Sequence, residues 1–348
     1  MTDYRLAEPV VVTGATGFIG RWLVRRLAAA EYYVRALVLP DEPTAGLWDG
    51  PVQVMRGDIT DAAGVAQVVR HAGTVIHLAA AVGDWGDEAW FQAVTVGGTR
   101  NLLSAAGVAN ARIVVVSSYT IYGDQIPHAV CHEDLPFGRP LGPYSRAKQG
   151  QETVTWELAA ERDLKVTVIR PANVFGAGCR PWVREAAAEL RRGVPALVGG
   201  GDLDAGLCYV DNLVDLLILA AGHPAAIRRT YNACDDSGIT WRQYFTDLAR
   251  LSGAPRPRSI PRRLAGAAAP LAEALWRWRK AAGRPPLTRE ALNLVGANNR
   301  VPIERARSEL GYAPRVDYAQ AMAALGGFLR TEALVGRAQP AETDGHGS

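Results

Sequence analysis

Along the first half of the chain, short apolar runs alternate with segments whose apolar residues recur every three or four positions. The runs are "PVVVTG", "YYVRALVL", "PVQVMRGD", "TVIHLAA" and "ARIVVVSS". The helical segments between them include "RWLVRRLAAA", "DAAGVAQVVRHA" and "FQAVTVGGTRNLLSAAG". Strands that are apolar without strict alternation suit a parallel sheet covered on both faces. Strand alternating with helix predicts a doubly wound α/β fold with right-handed crossovers. After "VTVIRPANVFG" the pattern loosens into a helix in "RPWVREAAAELRRG", a return in "LCYVDNLVDLLILAAG", and a helical, arginine-rich region. The predicted division is a sheet domain over residues 1–172 with a return near 207–235, and a smaller, mainly helical lobe over 173–206 and 236–332. A small, polar stretch over 333–348 reads as a disordered tail.

Composition narrows the class. A chain of 348 residues can bury one large core or two modest ones. Its 48% hydrophobic and 21% charged residues are those of an ordinary globular protein. The net charge of +3 and the absence of a basic run give no footprint for nucleic acid. Cys131, Cys179, Cys208 and Cys234 are widely spaced, with no C-x-x-C pair and no companion histidine at metal-ligand spacing, so the expectation is reduced thiols and no metal. The start "MTDYRLAEPVVVTG" lacks the pattern of a signal peptide, and no apolar run approaches the roughly 20 residues of a membrane span. The expected location is the cytoplasm.

"VVVTGATGFIG" places Gly14, Gly17 and Gly20 at the turn from the first strand to the first helix. Glycine permits a tight turn and close approach of backbone amides to a pyrophosphate, which the helix N-terminus also attracts. The spacing G-x-x-G-x-x-G is one residue longer than the G-x-G-x-x-G fingerprint. An acidic residue about 20 positions on would hold the ribose of NAD, and an arginine would favour the phosphate of NADP. The second strand ends "RALVLPDE", with Val38 and Leu39 at the expected place. Asp41 is then the candidate for the ribose and Arg21 for a phosphate, and the choice between NAD and NADP stays open.

Lys148, in "GPYSRAKQG", is one of only three lysines in an arginine-rich chain. On a helix it lies one turn from Tyr144, on the same face. A compact ammonium there is not interchangeable with an arginine fork.

With the glycine loop, "VVVSSYTIYGD" and "YSRAK" in this order, the chain resembles an extended short-chain dehydrogenase/reductase over nearly its whole length. The resemblance implies a Rossmann-type doubly wound parallel sheet, a nicotinamide cofactor and a homodimer. It implies that Ser118, rather than its neighbour Ser117, hydrogen-bonds the substrate oxygen, and that Tyr144 is general acid or base. Lys148 is implied to hold the nicotinamide ribose and lower the tyrosine pKa. The cofactor would lie against Gly14, Thr16, Gly17, Phe18, Ile19, Gly20, Asp58, Ile59, Leu78, Ala79, Ala80 and Pro171, with Asp58 on the adenine. His77 reads as a strand-end packing residue. Without these companions, Tyr144 and Lys148 would be a packing aromatic and a surface charge.

Three positions bear on the substrate. Sugar dehydratases of this family carry an Asp-Glu pair after the active-site serine or threonine, where this chain has Tyr119 and Thr120. Sugar-nucleotide enzymes carry an arginine for the diphosphate where this chain has Asp204 and Ala205. Against these stands Asn173, which matches an asparagine that sugar enzymes place near the substrate phosphate. "AAVGDWGDEAWFQAVTVGGTRNLL" resembles the 3β-hydroxysteroid dehydrogenase and β-keto acid reductase group, with Trp85 near the active-site mouth and Thr95 where the family has asparagine. "GRPPLTREALNLV" and "ERARSELGYAPRVDYAQAM" resemble the same group. The implied function is interconversion of a secondary alcohol and a ketone on a bulky hydrophobic substrate. The alternatives are a nucleotide-sugar 4-epimerase and a non-catalytic dinucleotide sensor. "RRLAGAAAPLAEALWRWRK", residues 262–280, reads as a helix packed on the smaller lobe, a lid, or a membrane-surface helix.

Overall fold

In the computed structural model, which describes residues 5–281 and 283–338, the five apolar runs form strands. They are β1 (Val10–Thr13), β2 (Val34–Val38), β3 (Val52–Arg56), β4 (Thr74–His77) and β5 (Arg112–Val116). β6 (Lys165–Pro171), β7 (Asn173–Phe175), β8 (Leu197–Val198), β9 (Leu207–Tyr209), β10 (Arg229–Ala233) and β11 (Ser259–Ile260) follow. The helices are α1 (Phe18–Ala29), α2 (Ala62–Val69), α3 (Glu88–Phe91), α4 (Gly98–Val108), α5 (Pro143–Glu161) and α6 (Ala186–Arg191). Then come α7 (Val210–Gly222), α8 (Trp241–Ser252), α9 (Arg262–Arg279), α10 (Arg289–Val295), α11 (Glu304–Leu310) and α12 (Tyr318–Ala338).

The main sheet has seven strands in the order β10-β6-β5-β4-β1-β2-β3, each pair parallel. Successive side chains point to opposite faces, and here both faces are dry. Val10 and Val12 join a core with Leu23, Val24 and Leu27 of α1 and Leu213 and Leu217 of α7. Val11 joins the opposite core, with Val65 and Val68 of α2, Leu102 and Leu103 of α4 and Leu158 of α5. That is why β1 is an unbroken apolar run. β1 pairs with β2 on one side and β4 on the other, so the chain reverses its winding there. The crevice at the carboxyl ends of β1 and β4 is where such sheets bind ligands.

Much of the rest of the chain gathers on a further core. Parallel pairs β7–β9 and β8–β11 pack on a separate core around Phe175, Leu197, Trp241, Phe245 and Leu325, with the Trp241 and Phe245 rings stacked 5.3 Å apart. Between these pieces α7 and β10 return to the main sheet. Helix α12 runs through Ala338, six residues into the stretch 333–348 read from composition as a disordered tail. Residues 339–348 of that stretch lie outside the described residues. Among the described residues, no helix is long and apolar enough to cross a membrane.

Candidate active site

The glycine turn is as tight as its spacing requires. Gly14 has φ +64°, and a Cβ there would come within 2.9 Å of the Ala79 nitrogen. A Cβ on Gly20 would overlap the Gly14 carbonyl oxygen. The loop is thereby pressed against the end of β4, and Leu78 and Ala79 border it. Gly17 caps α1 without a side chain, leaving the first-turn amides, including those of Phe18 and Ile19, to an anion. These are the features a dinucleotide pyrophosphate needs.

Arg21 turns back, its Nε donating to the Thr16 carbonyl at 2.6 Å. The acid that reaches the loop is Glu42: it accepts from the Thr16 hydroxyl and from the Leu39 N–H at 3.3 Å. Asp58 is exposed and braces its own turn, accepting from the N–H and hydroxyl of Thr60, both at 2.8 Å. Ile59 is buried against α4, and Pro171 is buried at the end of β6.

Tyr144 and Lys148 share one face of α5, with Nζ 5.8 Å from the phenol ring centroid. Lys148 is 3% exposed. Its ammonium donates to the Val116 carbonyl at 2.8 Å and to Gln151 Oε1 at 2.9 Å, so one of its three N–H groups is left for a ligand. Ser118, at the end of β5, sits beside the Tyr144 hydroxyl, while the neighbouring Ser117 Oγ is buried without a partner. Burial pushes the Tyr144 phenol up to about 12; the hydrogen bond with Ser118 lowers it and Glu290 raises it. Burial also pushes Lys148 down to about 7, against the pull of Glu152. In the protein alone desolvation prevails over both charged forms, and Ser118 is the group that opposes it at the phenol.

Behind the lysine runs a chain of buried hydrogen bonds. Gln151 Nε2 donates to Thr99 Oγ1 at 3.0 Å, and the Thr99 hydroxyl donates to the Thr95 carbonyl at 2.6 Å. His77 Nε2 lies 2.9 Å from Thr99 Oγ1, and its Nδ1 lies 2.7 Å from Thr13 Oγ1. Thr13 Oγ1 already accepts from the Leu78 and Ala79 amides at 3.2 and 3.1 Å, so its proton points to Nδ1. His77 then carries its proton on Nε2 and donates to Thr99. Burial, followed by Lys148, pushes its pKa down to about 3, so the ring is neutral and serves as a strut, in keeping with the packing role expected for it. Thr95 Oγ1, where the family has asparagine, accepts from the Ala81 amide at 3.0 Å.

The smaller lobe contributes a residue that the sequence did not reveal. Glu290, at the start of α10, is 4% exposed. Its Oε1 accepts from the Ser145 amide at 2.9 Å, capping α5 where Gly142 has no side chain to do so. Its Oε2 has no partner. Burial, reinforced by Asp84 and Glu273, raises its pKa to about 8. Thr288, the N-cap of α10, donates to Asp84 at 2.6 Å. One short helix thus ties the loop after β4 to the first turn of α5.

Trp85 and Gly86 line a cavity of about 370 Å³ with Gly142, Arg146, Arg277 and Arg289. The Arg277 guanidinium lies 4.7 Å over the Trp85 ring. The other two residues singled out for substrate are engaged elsewhere. The Tyr119 hydroxyl is buried against Asn299 at 3.3 Å, and Asn173 Nδ2 donates to the Ala205 carbonyl at 2.7 Å. Neither borders this cavity. Thr120 Oγ1 is buried without a partner. Among the described residues no group of three or more His, Cys, Asp or Glu could hold a metal, and all four cysteines are free and buried.

A glycine turn at the reversal point of a parallel sheet, with a serine, tyrosine and lysine beyond it, defines a nicotinamide-dependent oxidoreductase. The chain belongs to the NAD dependent epimerase/dehydratase family, whose profile matches residues 10–234, and it is an extended short-chain dehydrogenase/reductase. It is 28% identical over 320 residues to the 2-alkyl-3-oxoalkanoate reductase of Stenotrophomonas maltophilia, covering 88% of this chain and 95% of that protein. It is 29% identical over 334 residues to a 3-beta-hydroxysteroid dehydrogenase of Mycolicibacterium neoaurum, covering 90% and 89%. The structure of MoeE5 in complex with UDP-glucuronic acid and NAD superposes with a TM-score of 0.72 at 26% identity, over 93% of this chain and 100% of that one.

Proposed function

We propose that the chain interconverts a secondary alcohol and a ketone on a bulky, mainly hydrophobic substrate, with Ser118, Tyr144 and Lys148 as its catalytic residues. The observation that carries this reading is the Ser118–Tyr144–Lys148 constellation, with no carboxylate pair on the segment that follows Ser118. Thr120 and Tyr119 offer no acid and base for eliminating water. Asp204 and Ala205 offer no cation for a diphosphate, and Asn173 is engaged by backbone. The reductase and dehydrogenase relatives act on a 2-alkyl-3-oxoalkanoate and a 3-beta-hydroxysteroid by name, and both support a lipid-like ketone.

The residues present fit a dinucleotide: the uncapped N-terminus of α1 would hold the pyrophosphate and the free N–H of Lys148 would hold the nicotinamide ribose. When bound, the nicotinamide ring supplies or accepts the hydride. Ser118 Oγ donates a hydrogen bond to the substrate oxygen. Tyr144 Oη gives that oxygen its proton in reduction and takes it back in oxidation. Glu42, at the end of β2, favours the ribose hydroxyls of NAD and repels the extra phosphate of NADP. The reading carries with it the sheet domain and covering lobe divided near residue 172, a homodimer and a cytoplasmic setting.

The test follows nicotinamide absorbance in purified protein given NADH or NADPH with 3-ketosteroids, 2-alkyl-3-keto acids or nucleotide sugars. Net oxidation of NADH by a lipid-like ketone is the expected result. Isomerised sugar without net oxidation would replace the reading by a 4-epimerase, in which the hydride returns to the same molecule.

A further inference from the structure

Helix α9 is attached to the molecule along a narrow strip. Ala265, Ala269 and Glu273 are its buried residues, and Ala272 and Trp276 beside them are half-buried. The outer side carries Leu264, Leu271, Leu275 and Trp278, exposed by 61%, 70%, 38% and 78%. Leu264, Leu271 and Trp278 are seven residues apart in turn, and Leu275 follows Leu271 by one helical turn. The four therefore form one stripe. Single exposed apolar residues need no explanation, but a contiguous row marks a partner.

The charges on this helix say which partner. Arg262, Arg263, Arg279 and Lys280 are exposed at its two ends, while Arg277 is engaged by Glu273 and Trp85. Its one acid, Glu273, is 3% exposed and turned inward, accepting from the Arg289 amide at 2.7 Å and the Arg289 Nε at 2.9 Å. The outward charge is wholly cationic. The segment "QPAETDGHGS", residues 339–348, has no large apolar side chain with which to cover the stripe. A second copy of α9 laid against the first would set cations against cations at both ends.

We propose that α9 is an interfacial helix that docks on an anionic lipid surface, its leucines and Trp278 among the acyl chains and its arginines and Lys280 at the lipid phosphates. The inner face of the same helix reaches the cavity, through Arg277 over Trp85 and Glu273 on Arg289. A ketone dissolved in the bilayer would leave it beside the mouth of the active site. This last consequence rests on the hydrophobic-substrate reading; the docking itself does not.

The test is cosedimentation of the full chain, without coenzyme or ketone, with vesicles of phosphatidylglycerol and phosphatidylcholine and with vesicles of phosphatidylcholine alone. Binding to the anionic vesicles, weakened by salt, is expected. The double variant Leu271→Ser/Trp278→Ser should lower the partition coefficient at least about tenfold. Arg263→Gln/Arg279→Gln/Lys280→Gln should remove most of the salt dependence. Unchanged circular dichroism melts would show that both variants fold. Wild type that ignores both vesicles, or variants that bind as wild type does, would overturn the proposal. So would a wild-type dimer that becomes monomeric in Leu271→Ser/Trp278→Ser while no vesicle is bound, since the stripe would then belong to a second copy. Vesicle binding without ketone turnover would leave docking standing and remove the substrate reading; turnover without binding would do the reverse.

Discussion

Helices α5 and α9 border the same cleft on opposite terms. In α5 the charged and polar groups Lys148, Gln151 and Glu152 are all 3% exposed or less, and each is held by a named partner. Arg170 on β6 donates to Glu152 at 2.7 Å, to the Tyr122 hydroxyl at 3.0 Å and to the Glu133 carbonyl at 2.9 Å. In α9 nearly everything but an alanine strip faces outward. The comparison separates two demands. A proton-transferring group must be held within tenths of an ångström by fixed neighbours, whereas a surface that meets bulky apolar ligands needs area and tolerance.

The contrast predicts a descending series of effects. Tyr144→Phe should cut turnover by about 10²–10⁴-fold with coenzyme affinity unchanged by calorimetry. No turnover by wild type on any substrate would instead leave a dinucleotide sensor. Glu152→Ala leaves the Arg170 guanidinium buried and unpaired, and should lower stability by about 3–5 kcal/mol, read from the urea midpoint. Trp85→Ala, on the tolerant side, should raise KM for a bulky ketone about three- to tenfold with kcat little changed. An equal fall in kcat would place Trp85 among the rigid parts.

The smallest effect lies where the two regions meet. The Glu290 carboxyl titrates near 8 in the folded chain against about 4.5 unfolded. Between those pH values the folded state binds the extra proton, so this group's contribution to stability falls as pH rises through the window. Glu290→Gln still accepts from the Ser145 amide but has no such dependence. Its melting temperature relative to wild type should rise by a few degrees from about pH 5 to about pH 8, and a flat difference would mean that the carboxyl is already ionised.

The same contrast decides what could be read from the sequence. The parallel sheet was legible because burial of both faces leaves a local signature, as in "VVVT" of β1. The glycine turn was legible because Gly20 answers to the backbone of Gly14 and Ala15 a few residues before it, a clash the G-x-x-G-x-x-G spacing encodes, although Gly14 itself is pressed on Ala79 just after β4. Tyr144 and Lys148 are one helical turn apart, and Gln151, three residues past the lysine on the same face, could have been found by that spacing. Glu290 could not: it meets Ser145 across 145 residues, and the order of strands that brings them together is not written in either segment. The partners of Tyr119 and Asn173, Asn299 and Ala205, are distant in sequence and were hidden for the same reason. Glu42 was missed because the turn after β2 bends back over Thr16, one residue beyond the aspartate favoured from spacing.

The chain of buried groups behind Lys148 has a consequence for proton traffic. Both lone pairs of Thr99 Oγ1 are occupied, by His77 and Gln151, and its hydrogen is fixed on the Thr95 carbonyl. Thr13 accepts two amides and faces its hydrogen toward the imidazole. No link can receive a proton without turning its neighbours at once, and a ring titrating near 3 will not hold one in transit. The rear wall of the site is thus an insulator. On the proposed reading, the proton that Tyr144 exchanges has no route through this wall and comes and goes through the mouth, so a ligand that seals the mouth also stops exchange of that proton with water.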